Sequence, residues 1–100
     1  MDLILEMRGL PTRERFMLGD HLAKTAISVP SNIAEGAGRN SPREFRRFLG
    51  IALGSAYELE TQVLIARDVG VIGRTSAEDH LRRIGEIQRM LHGLRGSIRL

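Results

Sequence analysis

The sequence SPREFRRFLGIALGSAYELETQVLIARDVG, residues 41–70, decides the fold because it encodes one long helix with a defined start and a defined end. Ser41 is a suitable N-cap, and Pro42 fills the first helical position, where no amide donor is needed. Glu44 completes a capping box with Ser41. Gly70 supplies the C-terminal stop.

This predicted helix, which runs to about Val69, carries more apolar surface than a small bundle requires. Ile51 and Ile65 lie on its back, with Glu58 midway between them at seven-residue spacing. A helix that is apolar on more than one side is either central in a larger core or buries its second side against another subunit. For 100 residues, a subunit interface is the expected explanation. The main apolar face holds Phe45, Phe48, Leu49, Ala52, Ala56, Leu59, Val63 and Ala66, and a flank holds Leu53, Tyr57 and Leu64.

The preceding segment, residues 13–37, also has helical periodicity, with Thr12 as its N-cap. Pro30 lies inside this pattern and predicts a kink rather than an end, because the apolar spacing resumes beyond it. The helix is expected to stop at Gly36-Ala-Gly38. Ahead of it, residues 2–9 predict two helical turns that Gly9 and Pro11 terminate. The main apolar stripe of residues 13–37 holds Leu18, Leu22, Ala26, Val29 and Ile33, beside a stripe of Phe16, Ala23, Ile27 and Ala34.

The last predicted helix covers residues 76–98, after a second capping box formed by Thr75 and Glu78. Helices joined by such short loops pack as antiparallel neighbours. The expected fold is therefore all-α, an antiparallel up-and-down four-helix bundle with a shortened first helix, in one domain over residues 1–100. The apolar positions of the last helix are Ala77, Leu81, Ile84, Ile87, Leu91, Leu94 and Ile98.

The composition restricts the classes of function. Cysteine and tryptophan are absent and aromatic residues make up 4% of the chain. Disulfides and thiolate metal sites are therefore excluded, and base stacking on an aromatic platform is disfavoured. No apolar run approaches the roughly 20 residues of a membrane span. Asp2 and Glu6 argue against a signal peptide, so a cytoplasmic protein without membrane attachment is expected.

The positive charge is concentrated in two segments. Residues 36–50 carry a net charge of +3 and residues 81–100 carry +4, whereas residues 1–35 and 51–80 carry −1 and −3. Segregation of this kind suits a surface that binds a polyanion.

A search for catalytic or metal-binding residues finds none. No glutamate precedes His21, His80 or His92 at the three-residue spacing of a di-iron bundle, so no metal and no cofactor are predicted. Gly36-Ala-Gly38 follows a helix rather than a strand, and Ser55 lies mid-helix rather than on a nucleophile elbow. Ser55 is expected to be a small residue at a close helix contact.

Three carboxylates, Glu35, Glu58 and Glu60, lie in apolar surroundings. An acid–base pair would need a pocket and perturbed pKa values. Each carboxylate is expected to cap, pair with an arginine or face solvent. The protein is therefore not expected to be an enzyme.

Arginines are the remaining candidates. One set flanks the start of the 42–69 helix, where a positive dipole end favours anions, and another lies on the 76–98 helix, with Arg83, Arg95 and Arg99 at the edges of its apolar stripe. In a monomer, both arginine sets are expected to face solvent and to pair with Glu44 and Glu86. In an oligomer, each arginine is repeated around the assembly, so phosphate binding becomes an equally good explanation of these residues. The predicted nucleic-acid-binding residues are Arg39, Arg43, Arg46, Arg47, Arg82 and Arg89.

Two motifs carry a resemblance to a known family. AISVPSNIAEG at residues 26–36 precedes Arg39, and GSAYELETQ covers residues 54–62. With these motifs the chain resembles the bacterial four helix bundle proteins, also called 23S rRNA-intervening sequence proteins, over roughly residues 10–98. Relatives have a full first helix before the Leu-Pro turn, so here that helix is either truncated or the true start lies upstream.

The resemblance implies four-helix protomers that assemble into ring-like homopentamers. A related branch, the accessory protein of diversity-generating retroelements, binds nucleic acid and a reverse transcriptase through a basic pentameric barrel. The motif residues are interpreted as mainly architectural. With the two back-face isoleucines, the predicted structural and interface set is Pro30, Asn32, Glu35, Gly36, Ile51, Gly54, Ser55, Glu58, Glu60 and Ile65.

Together these observations predict a non-enzymatic oligomer, with a pentamer favoured, that binds nucleic acid through its arginines. RNA is favoured over DNA, and phosphate contacts with weak sequence specificity are expected because stacking aromatics are scarce. The alternative is a protein-interaction scaffold that recruits a partner enzyme such as a reverse transcriptase.

Overall fold

The computed structural model describes residues 12–100, which form three α-helices joined by short loops. Helix α1 spans Thr12–Gly38, α2 spans Pro42–Asp68 and α3 spans Arg74–Ser97. These described residues contain no β-strand, so the predicted all-α class is confirmed. The helix expected at residues 2–9 lies outside the described residues, and the predicted count of four helices rests on it.

Both ends of α2 are set by local signals that the sequence predicts. The Ser41 hydroxyl accepts a hydrogen bond from the backbone N–H of Glu44 at 3.3 Å. The reciprocal half of the predicted capping box is not formed, because the Glu44 carboxylate accepts from the Arg47 guanidinium at 2.9 Å instead. At the other end, Gly70 has φ +79°, a left-handed conformation that glycine adopts without strain, and it terminates the helix as predicted.

The start of α3 differs from the prediction. The helix begins at Arg74 with Gly73 as its N-cap, and no side-chain hydrogen bond caps it. Thr75 therefore lies inside the first turn rather than ahead of it, where its hydroxyl cannot cap. The predicted capping box of Thr75 and Glu78 is wrong for this reason.

Helix α2 is the central helix of the described chain. At one end Gly36 of α1 meets Phe48 of α2, and on the other side Gly50 of α2 meets Arg95 of α3. Both pairs join the end of one helix to the start of α2, so α1 and α3 run antiparallel to it. Within residues 12–100, α1 and α3 pack on α2 and not on each other.

This arrangement corrects the interpretation of the apolar flank of α2. Leu53 on that flank is buried within the chain, in a cluster that includes Leu91 of α3. The second apolar side of α2 is thus covered partly by the chain's own α3, and not only by another subunit. Tyr57, on the same flank, stays 45% exposed.

Two hydrophobic clusters hold the helices together, and Leu49 is their largest fully buried side chain. Some apolar residues of the predicted stripes stay exposed to solvent, because no described element covers them. Ala26 of α1 is exposed, and Ile87 and Leu94 of α3 are 37% and 43% exposed. The first cluster contains Val29, Leu49, Ala52, Leu53, Ala56 and Leu91, and the second contains Val63, Ala77 and Ile84.

Hydropathy was also compared with the requirement of a membrane span. Over residues 12–100, no helix combines the length and the apolar character that crossing a bilayer requires.

Candidate functional site

Six arginines gather at the end of the molecule where α1 stops, α2 starts and α3 stops. Arg95 joins this group because its guanidinium lies against Gly50, with Nε 3.3 Å from the position that a Cβ would take there. Arg99 joins it because it lines a shallow pocket together with Ser41 and Pro42. We call this region the basic end. It comprises Arg39, Arg43, Arg46, Arg47, Arg95 and Arg99.

Two members of the basic end are already paired. Arg39 forms an ion pair with Glu35 at 2.8 Å, and Arg47 forms one with Glu44 at 2.9 Å. Both guanidiniums also lie over the ring of Phe48, at 5.1 Å and 4.5 Å from its centre. The ion pairs and the cation–π contacts hold these two arginines against the surface.

The other four members have no anionic partner. Among residues 12–100, no carboxylate forms an ion pair with Arg43, Arg46, Arg95 or Arg99. The Nε atoms of Arg46 and Arg95 are buried and have no hydrogen-bond acceptor among these residues. Arg46 and Arg95 are only half-buried as residues, so the other guanidinium nitrogens are the donors that an incoming anion can reach.

The remaining predicted arginines lie elsewhere on α3 and differ from each other. Arg82 is held by two carboxylates, Asp79 at 2.6 Å and Glu86 at 3.3 Å. Arg83 shares Asp79 at 3.1 Å. Arg89 is exposed, and none of the ion pairs between described residues includes it. The structure therefore brings the first predicted arginine set together with Arg95 and Arg99, and separates it from Arg82.

Hydrogen bonding from arginine shifts two carboxyl groups. The hydrogen bond from Arg47 lowers the pKa of Glu44, and the hydrogen bond from Arg82 lowers the pKa of Asp79. Both carboxylates are therefore ionised at neutral pH and occupy their arginines. Pairing of this kind is lost only as the pH falls through the lowered pKa values.

The first motif block contributes to the shape and packing of α1. Pro30 lies inside α1, which continues on both sides of it. The Asn32 amide donates to the Ser28 carbonyl at 2.7 Å, one turn earlier. Gly36 is buried, and a Cβ there would lie 2.6 Å from the Cβ of Phe48, so only glycine permits this approach of α1 to α2.

The second block is only partly used within one chain. Glu58 accepts hydrogen bonds from Thr25 of α1 at 3.2 Å and from Gln62 at 3.4 Å, so it links α1 to α2. Gly54 has open space beside it, so a close contact at Gly54 is not formed within the described chain. Ile51 is 41% exposed on the back of α2. The other members, Ser55, Glu60 and Ile65, are half-buried.

A second feature, which the sequence analysis did not predict, is an apolar groove of about 400 Å³ between α1 and α3. Its floor includes Ala56 and Val63 of α2, and its walls include Pro30 of α1 and Ile87 of α3. His80 and Arg83 also line it, whereas Glu58 and Glu60 do not. Its wall on α1 includes Leu22, Ala26 and Val29, which belong to the apolar stripe predicted for residues 13–37.

The described residues were searched for metal ligands. Over residues 12–100, no three histidine, aspartate or glutamate side chains come together in a group that could hold a metal ion.

The chain was also compared with known proteins. A family model described as 23S rRNA-intervening sequence protein matches residues 1–93. No curated protein matches the chain.

Proposed function

Because the chain belongs to the 23S rRNA-intervening sequence protein family, we propose that it is a non-enzymatic protein that binds nucleic acid through the basic end. RNA is the ligand we propose first, with DNA as the alternative.

The observation that carries this proposal is the group of four unpaired arginines. Arg43 and Arg46 come from α2, Arg95 comes from the last turn of α3, and Arg99 follows the end of that helix. A guanidinium without a carboxylate partner can donate two parallel hydrogen bonds to a phosphate. Arg46 and Arg95 are half-buried, whereas Arg43 and Arg99 are exposed, so the first two guanidiniums are held closer to the helix surface and lose less freedom when they bind a phosphate.

Binding through such a surface is dominated by the nucleic-acid backbone. Phosphate contacts fix where the ligand lies but carry little sequence information. Each neutralised phosphate releases condensed counterions, so affinity falls steeply with salt. The complex is therefore expected to be salt-sensitive and weakly sequence-specific.

The proposal also includes a four-helix bundle and its assembly into an oligomer. The groove between α1 and α3 provides an apolar surface on which a fourth helix can pack. Copies of the chain assemble into a cytoplasmic homopentamer, which the exposed back of α2 at Ile51 supports. A ring of five basic ends multiplies the phosphate contacts available to one RNA.

The groove also favours a second candidate function, a scaffold that recruits a partner enzyme such as a reverse transcriptase. Exposed apolar residues flank the groove, with Ile27 of α1 at 63% and Met90 of α3 at 71% exposure. A partner helix that laid an apolar face along this surface would bury them.

The test is binding of the purified protein to labelled structured RNA at about 50 and 200 mM salt, with duplex DNA as competitor. The proposal predicts binding that weakens steeply with salt, with a logarithmic slope that counts the phosphates neutralised. No binding at the lower salt concentration would discard nucleic-acid binding and leave the scaffold function as the next to test.

A further inference from the structure

Tyr57 continues the basic end along one side of α2. Arg46 and Gly50 are one helical turn apart and share the side of α2 that faces α3. Arg95 lies against Gly50, and further along the same side the Tyr57 hydroxyl lies 2.9 Å from His92 Nε2. We call this line of contacts the α2–α3 seam.

The seam has a uniform charge. Residues 45–57 and 87–100, which form its two sides, contain five arginines and no aspartate or glutamate. The next carboxylates on α2 are Glu58, which accepts a hydrogen bond from Thr25 of α1, and Glu60, which lies one helical turn beyond Tyr57 and ends the acid-free stretch. A polyanion that follows the seam from Arg46 to Tyr57 therefore meets no acidic residue of these two segments.

Tyr57 is a fixed aromatic ring with an open surface. The residue is 45% exposed, and its ring meets the His92 ring edge to face, with centroids 6.1 Å apart. The hydrogen bond to His92 holds the ring in place at the edge of the seam. An aromatic side chain that is already fixed loses little entropy when a base stacks on it.

We infer that the seam binds a single nucleic-acid strand, with phosphates on Arg46 and Arg95 and a base stacked on Tyr57. This inference rests on the proposed function and specifies its ligand as an unpaired strand. Arg46 and Tyr57 are eleven residues apart, about 16 Å along α2, a distance that a few nucleotides span. A duplex keeps its bases stacked inside the helix and cannot present one to Tyr57 without unstacking it. The seam therefore prefers an unpaired strand or loop to a continuous duplex.

The chain contains its own reporter for this contact. Tyr57 is the single tyrosine and tryptophan is absent, so the tyrosine fluorescence of the full chain comes from Tyr57 alone. The experiment titrates the protein with oligo(U) of about twelve nucleotides and, in parallel, with a sugar–phosphate backbone of the same length that lacks bases. Oligo(U) is expected to bind more tightly and to quench the fluorescence, whereas the abasic strand is expected to bind without quenching.

Two variants separate stacking from the structural role of the ring. Tyr57→Leu keeps apolar volume but removes the aromatic face, and it is expected to weaken oligo(U) binding by about 5- to 150-fold while leaving abasic-strand binding unchanged. Tyr57→Phe keeps the face and loses only the bond to His92, so its affinity is expected to stay within about 2-fold of the wild type, a change below that of one lost stacked base.

The outcomes distinguish this inference from the function on which it rests. Equal binding of both strands without quenching, or unchanged oligo(U) affinity in Tyr57→Leu, would overturn the stacking site and leave binding at the basic end intact. If neither strand bound at low salt, both the seam and the proposed function would be wrong. If Tyr57→Leu fails to fold, the comparison of oligo(U) with the abasic strand on the wild-type protein still shows whether a base stacks on Tyr57.

Discussion

Two arginines of the first half of α3 have carboxylate partners, whereas those at its C-terminal end have none within the described part of the chain. In the first half, Arg82 and Arg83 are held by Asp79 and Glu86 at distances of 2.6 to 3.3 Å. In the last turn Arg95, and just beyond the end of the helix Arg99, have no carboxylate partner among residues 12–100. The difference shows that the number of arginines in a segment does not measure how many can bind a phosphate.

The cause of this difference is the spacing of acidic residues along the helix. Asp79 precedes Arg82 and Arg83 by three and four positions, and Glu86 follows Arg82 by four, so all four share one helix surface. Residues 87–100 contain no acidic residue at all. Arg95 and Arg99 lie more than two helical turns beyond Glu86, so they can be neutralised only by another element or by a ligand.

The largest expected effect concerns the packing that builds the basic end. Gly36→Ala places a Cβ 2.6 Å from the Cβ of Phe48, an atom that cannot move without the backbone. We expect the free energy of unfolding to fall by about 1–3 kcal/mol, measured by urea denaturation. Gly54→Ala is the matched control, because that helical position has open space, and it should be neutral or stabilising by up to about 1 kcal/mol. Equal destabilisation by both changes would contradict the proposed contact.

The next effect compares the two arginine pairs directly. Arg46→Gln with Arg95→Gln removes two unpaired guanidiniums, so RNA affinity should fall on the order of 10-fold and the logarithmic salt slope should decrease by about 2. In the control, Arg82→Gln with Arg83→Gln, we expect less than about a 3-fold loss, because these exposed arginines already have partners. Filter binding across a salt series measures both quantities, and a control that lost as much affinity would refute the distinction.

Removing the carboxylate partners of Arg82 and Arg83 should raise RNA affinity, by less than the loss expected for Arg46→Gln with Arg95→Gln. Asp79→Asn with Glu86→Gln removes the partners of Arg82 and Arg83. We expect RNA affinity to rise by about 2- to 5-fold, and the salt slope to steepen by up to about 1 for each arginine that reaches a phosphate. An unchanged slope would mean that these arginines lie too far from the bound RNA for pairing to matter.

Much of the fold was predictable because its signals are local. Ser41, Pro42 and Gly70 determine the ends of α2 through neighbouring backbone atoms, so the sequence alone suffices there. The start of α3 was mispredicted because Gly73 caps it without a side chain. The apolar flank of α2 can be buried by the same chain or by a second subunit. The position of α3 decides between the two, and the spacing of apolar residues in the sequence does not specify that position.

The candidate site was predictable only in part, for the same reason. Arg39, Arg43, Arg46 and Arg47 were found because they are close in sequence. Their meeting with Arg95 and Arg99 depends on the antiparallel packing of α2 and α3, and the exposure of Tyr57 depends on the gap which that packing leaves. The pairing of Arg82, in contrast, was already readable from its three- and four-residue spacing to Asp79 and Glu86.

The smallest expected effect is the pH dependence of a single ion pair. The hydrogen bond from Arg82 lowers the pKa of Asp79 from its ordinary value of 3.8. A lowered folded-state pKa stabilises the protein above the ordinary value, and this contribution is lost as the pH falls through the lowered pKa. Asp79→Asn should therefore lower the Tm slightly at pH 7, and the difference from the wild type should vanish in strong acid. A difference that grew with acidification would contradict the assigned sign.

The most direct test of the account follows the arginine side chains themselves by NMR. The guanidinium ¹H–¹⁵N signals of the full chain would be recorded while unpaired RNA is added at low salt. The account predicts that the Nε–H signals of Arg46 and Arg95 shift with increasing RNA, whereas those of Arg82 and Arg83 keep their positions. Shifts confined to Arg82 and Arg83, with Arg46 and Arg95 unchanged, would contradict the claim that unpaired arginines of the basic end bind the phosphates.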